Sequence, residues 1–354
     1  MTVHAIFGKL LLLFVVLMSA SVLDAQSGPN QKRTFAADSF WSVQWQRGYK
    51  MEPDLVVEPR ELIVVGNRLV VLDAGTREVL VMDAVAGKLM KRLEARGNGP
   101  GEFKRPASLT ALSNGFAILD QSVNRLSALS LDGKLLWDIQ SPSFSAAPCA
   151  HSPTRVTWKA RGAKNAIIVM DTAGRTLSHA SLPWQDIEQQ DMGTNAVVAG
   201  PTRDGICVFA RTHGPGFVIR RSTGSLTNHQ YVEATPEPRI EVKRQNVESS
   251  GGQSVVKEIQ TFHGVASAMK AMLVHDTLIV QFAGDTQLKY RVLDYYHLPS
   301  GRYIHSRKLR APVVSITAGP NGWFYATEML EEYSGLTALR PAFTPPPKKQ
   351  PVKK

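Results

Sequence analysis

The stretch "NRLVVLDAGTREVLVMDAVAGKLMKRL", residues 67–93, returns in altered form as "NGFAILDQSVNRLSALSLDGKLLWDI", residues 114–139. Each copy holds an apolar run ending in Asp, a polar turn with an Arg, a second apolar run, an acid, and Gly-Lys-Leu opening a third run. Asp73 and Asp120 stand 47 positions apart, and Gly87 and Gly133 stand 46 apart. A period of this length marks a repeat architecture, in which each unit buries its faces only against its neighbours.

Looser copies follow as "NAIIVMDTAGRTLSHASL" around Gly174, "GFVIRRSTGSLTNHQYV" around Gly224 and "LKYRVLDYYHLPSGRYIHSRKL" around Gly301. A truncated unit, "GPNGWFYATEMLEEYSGLTALRP", closes the series at residues 319–341. The apolar runs are 4–7 residues long, rich in Val, Ile and Leu, and bounded by Gly, Asp and Asn, with no long helical period. The chain therefore reads as all-β, and four short strands per unit predict a six-bladed β-propeller. The last unit lacks a strand, which the alternating segment "SFWSVQWQRGY", residues 39–49, is placed to supply. Such closure joins the two ends of the domain and removes open sheet edges. Residues 236–252, "PEPRIEVKRQNVESSGG", read as an inserted loop.

Between the first two units lies "GNGPGEFKRP", residues 97–106. The chain must cross here from the rim of one blade to the axis of the next. Glycines allow the positive φ angles this needs and prolines fix the others, while Phe103 is placed to plug the gap between blades. These residues resemble the Gly-x-Gly-x-Phe-x-x-Pro signature of NHL repeats, through Gly99, Gly101, Phe103 and Pro106. The whole chain is similar to bacterial six-bladed NHL-like β-propellers, most closely over residues 60–180. RNA binding by eukaryotic NHL-repeat proteins is an analogy of fold alone. A phosphate cradle is excluded at the hinge, because Pro100 removes an N–H donor and a strand, not a helix, follows.

At the N-terminus, Lys9 precedes "LLLLFVVLM", residues 10–18, and small residues follow. This is the pattern of a secretory signal peptide over residues 1–25, cleaved after Ala25, with an uncleaved anchor as the alternative. A linker over residues 26–37, the propeller over 38–341 and a Pro/Lys-rich tail over 342–354 complete the expected organisation. The formal net charge is +11, with Lys348, Lys349, Lys353 and Lys354 in the tail. In an exported, periplasmic or extracellular protein, such charge points to anionic lipid, polysaccharide or cell-wall polymer, or serves solubility alone. No nucleic-acid partner is expected, and the chain is expected to be a monomer. Cys149 and Cys207 neither require nor exclude a bridge by their separation; two buried free thiols are the expectation and a disulfide the alternative.

Candidate chemistry is sparse. Asp73, Asp120 and Asp171 read as ends of the same strand in three blades. Ringed carboxylates can hold calcium, but an Asp that accepts backbone N–H groups and fixes a repeated turn is the simpler reading. His151, His213 and His263, near the starts of blades three, four and five, are candidate zinc ligands if they converge on the axis. Such a site resembles those of the propeller lyase of peptide amidation and the secreted lactonases. "DYYHLPSGRY" brings Tyr295, Tyr296 and His297 beside Arg302 as the best local binding patch, if its aromatics are exposed. The tryptophans read as core rings within strands. The expected role is a non-enzymatic binding module without cofactor, recognising a protein, polysaccharide or other envelope polymer through its loop face. The alternative is a zinc- or calcium-dependent hydrolase or lyase at the axial channel.

Overall fold

The computed structural model describes residues 32–36, 40–94, 96–142, 148–152, 154–159, 166–182, 196–199, 205–233, 235, 239–248, 254–263, 266–284, 288–319, 322–329 and 334–342. The expected signal peptide lies outside these residues, as does the tail beyond 342.

Strand β1 (Phe40–Gly48) precedes the first blade, which is β2 (Pro59–Val65), β3 (Arg68–Asp73), β4 (Glu78–Asp83) and β5 (Leu89–Leu93). The second blade is β6 (Pro106–Leu112), β7 (Gly115–Asp120), β8 (Arg125–Ser130) and β9 (Leu135–Gln140). The third is β10 (Cys149–Ser152), β11 (Arg155–Lys159), β12 (Ala166–Asp171) and β13 (Thr176–Ser181). The fourth is β14 (Ala196–Ala199), β15 (Cys207–Arg211), β16 (Gly216–Arg220) and β17 (Leu226–Gln230). A hairpin of β18 (Arg239–Glu248) and β19 (Ser254–His263) comes next. The fifth blade is β20 (Ala268–Val274), β21 (Thr277–Phe282), β22 (Val292–His297) and β23 (Arg302–Lys308). The sixth is β24 (Ser315–Ala318), β25 (Phe324–Met329) and β26 (Ser334–Ala342), completed by β1.

The structure is thus a six-bladed β-propeller of four-stranded antiparallel blades, closed by an N-terminal strand as the sequence predicts. Strand β1 lies antiparallel to β26, with Phe40 opposite Ala342 and Gly48 opposite Gly335. The closing hydrogen bonds join residues nearly 300 positions apart, so the sixth blade is completed by both ends of the domain.

The core is a set of layers between blades. Val70, Leu72, Val79 and Val81 of the first blade pack with Leu109, Phe116 and Ile118 of the second. Alternate residues of the same strands, Leu69, Val71, Leu80 and Met82, pack instead with Tyr325, Leu336 and Ala338 of the sixth. A strand buried on both faces needs apolar side chains at every position, which is why β3 reads "RLVVLD" without alternation.

Three local expectations are refined. In the hinge, Gly101 has φ 75°, whereas Gly97 and Gly99 are absent from the positive-φ glycines. Those two are instead crowded by the Glu102 carboxylate, which accepts the Gly99 N–H at 2.8 Å. Phe103 is 1% exposed within the layer between blades one and two, so it fills the gap as expected. The inserted segment forms a two-stranded hairpin, because "RIEVKRQNVE" and "SVVKEIQTFH" alternate with β-branched residues around a Gly-Gly turn signal. Cys149 and Cys207 form a disulfide, correcting the expectation of free thiols. The bridge links β10 to β15 across the layer between blades three and four, where the two Cα atoms lie 6.0 Å apart.

Candidate functional site

In an up-and-down blade, the turn after the second strand and the link to the next blade fall on one face. The turns after the first and third strands fall on the other. Asp73 ends β3 and Asp120 ends β7, so both carboxylates stand on the face that carries the hinge. Asp73 accepts the backbone N–H groups of Val57 at 2.6 Å and Glu58 at 2.9 Å, and that of Gly75 within its own turn at 3.0 Å. Asp120 repeats the arrangement with Lys104 at 2.5 Å, Arg105 at 3.3 Å and Ser122 at 2.8 Å. Each Asp therefore staples the strand leading into its blade to the turn beyond its own strand.

Asp171 differs from the sequence expectation. It ends β12, the third strand of its blade, on the opposite face. There it accepts the N–H groups of Ala173 at 3.0 Å and Arg175 at 2.9 Å, matching Asp83 at the end of β4. Strand order within the blade, which the repeat pattern alone did not resolve, sets the two classes of Asp apart. The three carboxylates do not form a ring, and their lone pairs are engaged in turns.

The staples position a basic cleft. A cavity of about 380 Å³ opens between blades one and two, lined by Glu58, Arg60, Arg77, Lys104, Arg105 and Ser122 among others. Arg60 is neutralised by Glu58, whose Oε1 accepts its Nε at 2.8 Å and its Nη2 at 2.6 Å. Arg77, Lys104 and Arg105 are exposed, and no carboxylate among the described residues pairs with their side chains. Arg77 adopts φ 59°, a left-handed conformation at the tip of the Asp73 turn that directs the chain back into β4. The hinge is fixed from beneath by Arg125 of β8, whose guanidinium donates to the carbonyls of Asn98, Gly99 and Glu102, each at 2.7 Å. Lys104 and Arg105 are thus held at both flanks although their own side chains are solvated.

Asp120 sits below the ordinary carboxylate range. Burial pushes its pKa up, but hydrogen bonds from the Ser122 hydroxyl and from the N–H groups of Lys104, Ser122 and Arg105 outweigh it. The staple is therefore a charged acceptor at neutral pH.

The axis holds a different constellation. Glu61 of β2 pairs with Lys270 of β20, and these inner strands belong to blades separated by the sixth. Their side chains, 14% and 16% exposed, meet across the central channel. The second Glu61 oxygen accepts the Leu109 N–H of β6 at 2.7 Å, so one carboxylate ties three blades. His151 lies in inner strand β10, but its side chain is outside the described residues. His213 follows β15 in a turn, half-buried, with its pKa lowered by burial and by Arg211. His263 ends the hairpin, exposed, 3.3 Å from Glu241. The three histidines thus occupy non-equivalent places, and no group of three His, Cys, Asp or Glu among the described residues is arranged to hold a metal. Of the three, His263 belongs to the inserted hairpin and not to an inner strand.

The aromatic patch is corrected too. Adjacent residues of β22 face opposite sides, so Tyr296 is fully buried while Tyr295 is half-buried. Tyr296 accepts the Val232 N–H at 3.0 Å inside the layer between blades four and five. Tyr295 stacks on His305 with ring centroids 4.5 Å apart. His297 and Arg302 are the exposed members of the four, across the turn where His297 Nδ1 lies 2.8 Å from Ser300 Oγ. Of the tryptophans, Trp158 is fully buried, while Trp41 and Trp45 seal the closing blade against Phe324 and Tyr325.

Comparison with known proteins agrees with the ring. The family DUF5128, described as a 6-bladed beta-propeller, matches residues 51–179. None of the curated proteins matches the chain. Among solved structures, the chain is similar to an exported-protein candidate of Bacteroides fragilis, with TM-score 0.55 and 12% identity over 89% of this chain and 98% of the other. It is also similar to the Pan2 WD40 domain of Neurospora crassa, with TM-score 0.49 and 10% identity over 88% and 98% of the two chains. Virginiamycin B lyase of Staphylococcus aureus matches with TM-score 0.48 and 9% identity over 85% and 99%. At 12% identity the likeness to the Bacteroides protein is one of fold alone.

Proposed function

We propose that this propeller is an exported, non-enzymatic binding module whose hinge face holds an anionic envelope polymer, or a protein presenting comparable charge. The observation that supports this reading is the cleft between blades one and two. Arg77, Lys104 and Arg105 line it without carboxylate partners among the described residues, on loops fixed by Asp73 and Asp120. Cations on a fixed backbone and left solvated attract a charged polymer without ordering the loops that carry them. The likeness to the Bacteroides protein and the N-terminal apolar segment support export. No described feature favours a hydrolase or lyase at the axis, where the charged groups Glu61 and Lys270 neutralise one another.

The test uses the full mature chain and polygalacturonate as a probe of a carboxylated polysaccharide. Binding that weakens at least tenfold in Arg77→Ala/Lys104→Ala/Arg105→Ala, and weakens steeply with added salt, supports the cleft. Unchanged binding in that variant, or binding lost only when Lys348, Lys349, Lys353 and Lys354 are replaced, overturns it.

A further inference from the structure

The residues before β1 do not simply lead into the ring. Lys32–Ala36 lies beside β23, the outer strand of blade five, with a parallel bridge between Phe35 and Ser306. Two backbone bonds hold it there: Ala36 N–H to Ser306 O and Ser306 N–H to Thr34 O, each at 2.9 Å. This segment falls within the linker expected over residues 26–37, and it docks along the sheet edge through that single bridge.

Its anchor is Arg33. The guanidinium meets Asp294 of β22 in a two-point fork, Nε to Oδ1 and Nη2 to Oδ2, both at 2.9 Å. Its Nη1 also pairs with Glu233, and its carbon centre stands 3.9 Å from the Phe282 ring centroid. The Arg33 and Asp294 side chains are 5% and 4% exposed. Asp294 is oriented by the Ser306 hydroxyl, which donates to its Oδ1 at 2.6 Å, and Ser306 Oγ lies 2.6 Å from the Tyr303 hydroxyl. That same Tyr303 oxygen accepts the Thr34 N–H at 3.0 Å.

The pocket has the features of a guanidinium receptor: a buried carboxylate in a fixed plane, a second acid, an aromatic face and backbone partners on either side. A fork of parallel charge-assisted bonds suits a planar guanidinium and not a lysine ammonium, and the ring face adds a cation–π contact. Without a cation, Asp294 would remain as a buried charge. Strand addition at a sheet edge, with one side chain read by a pocket, is a recurring way of binding extended peptides.

We infer that the outer edge of blade five, with Asp294, Glu233, Phe282, Tyr303 and Ser306, is a binding site for an extended arginine-bearing peptide, which the chain occupies in cis with its own residues 32–36. Withdrawal of the arm opens the site to an arginyl peptide in trans. While the arm is docked it competes at the high effective concentration of a tethered ligand.

The test uses the full mature chain carrying Arg33→Ala, with fluorescently labelled KRTFA and KATFA peptides read by anisotropy. KRTFA is expected to bind the variant at least tenfold more tightly than it binds the wild type, and KATFA at least tenfold more weakly than KRTFA. Adding Asp294→Asn to the variant removes the preference for KRTFA. Equal binding of the two peptides, or equal binding of KRTFA to wild type and variant, overturns the inference. If Arg33→Ala loses the β circular-dichroism spectrum of the wild type, Arg33→Lys takes its place. It keeps a cation beside Asp294 without the fork, and the same outcomes decide.

Discussion

Asp120 Oδ2 accepts the Lys104 backbone N–H at 2.5 Å, joining the end of one strand to the link that begins its own blade. Through this contact a residue of the turn-forming repeat also places a side chain of the basic cleft. Frame and candidate site are therefore coupled. Loss of the staple should loosen the cleft before it opens the ring.

Replacing Asp120 by Asn keeps its size and removes its charge. A stability loss of about 1–3 kcal/mol at neutral pH is expected, the range for a buried, charge-assisted acceptor. Urea unfolding of the two proteins measures it. Because the Asp120 pKa is lowered in the folded chain, its stabilisation is complete above the ordinary carboxylate value and fades as pH falls through the lower folded value. Wild-type and Asp120→Asn stabilities should therefore converge below about pH 4. A constant difference across that range would contradict the charged staple.

Phe103→Ala removes the plug between blades one and two. The side chain is 1% exposed, so a loss of about 3–5 kcal/mol is expected, from lost transfer energy and the cavity left behind. Thermal unfolding should show it as a clear fall in Tm. A change within about 0.5 kcal/mol, the scale of surface substitutions, would place Phe103 outside the core.

Glu61 and Lys270 are predicted to be coupled across the channel. Removing either alone leaves its partner with an uncompensated charge, whereas Glu61→Gln with Lys270→Met removes both. A double-mutant cycle on unfolding free energies should give an interaction of about 1–3 kcal/mol, reduced from fully buried pairs because both side chains retain some solvent. Additive single effects would show that the two groups do not meet in solution.

The Cys149–Cys207 bridge spans 58 residues of sequence and ties blades three and four. Cys149→Ser with Cys207→Ser should lower stability by about 2–4 kcal/mol, chiefly by freeing the unfolded chain. Thiol titration of the unfolded wild type, without reductant, should find no free thiol. Two reactive thiols would rule out the bridge.

The ring was legible in the sequence because its determinants are local and repeated. Strands buried on both faces must be apolar throughout, and the turn ahead of the fourth strand in blades one to five holds a glycine with positive φ: Gly87, Gly133, Gly174, Gly224 and, after the inserted hairpin, Gly301. The missing strand of the last unit and the alternating residues 39–49 likewise announced the closure. The two classes of Asp were legible only in part: Asp73 and Asp171 look alike along the chain, and strand order within the blade separates them.

The cleft residues had a faint signal, since Lys104 and Arg105 end the hinge and Arg77 follows Asp73 in its turn. Which cations gather depends on how blade two packs on blade one, although the neutralisation of Arg60 by Glu58 is local. Tertiary structure alone decided that Glu61 meets Lys270, that Arg33 enters the Asp294 pocket, that Cys149 reaches Cys207 and that Tyr296 turns inward beside Tyr295. The first three are pairings over long sequence separations, and Tyr296 turns inward to meet Val232 of the preceding blade, all set by how blades pack around the axis. A local pattern encodes the shape of each blade but carries no record of the face its neighbour will present.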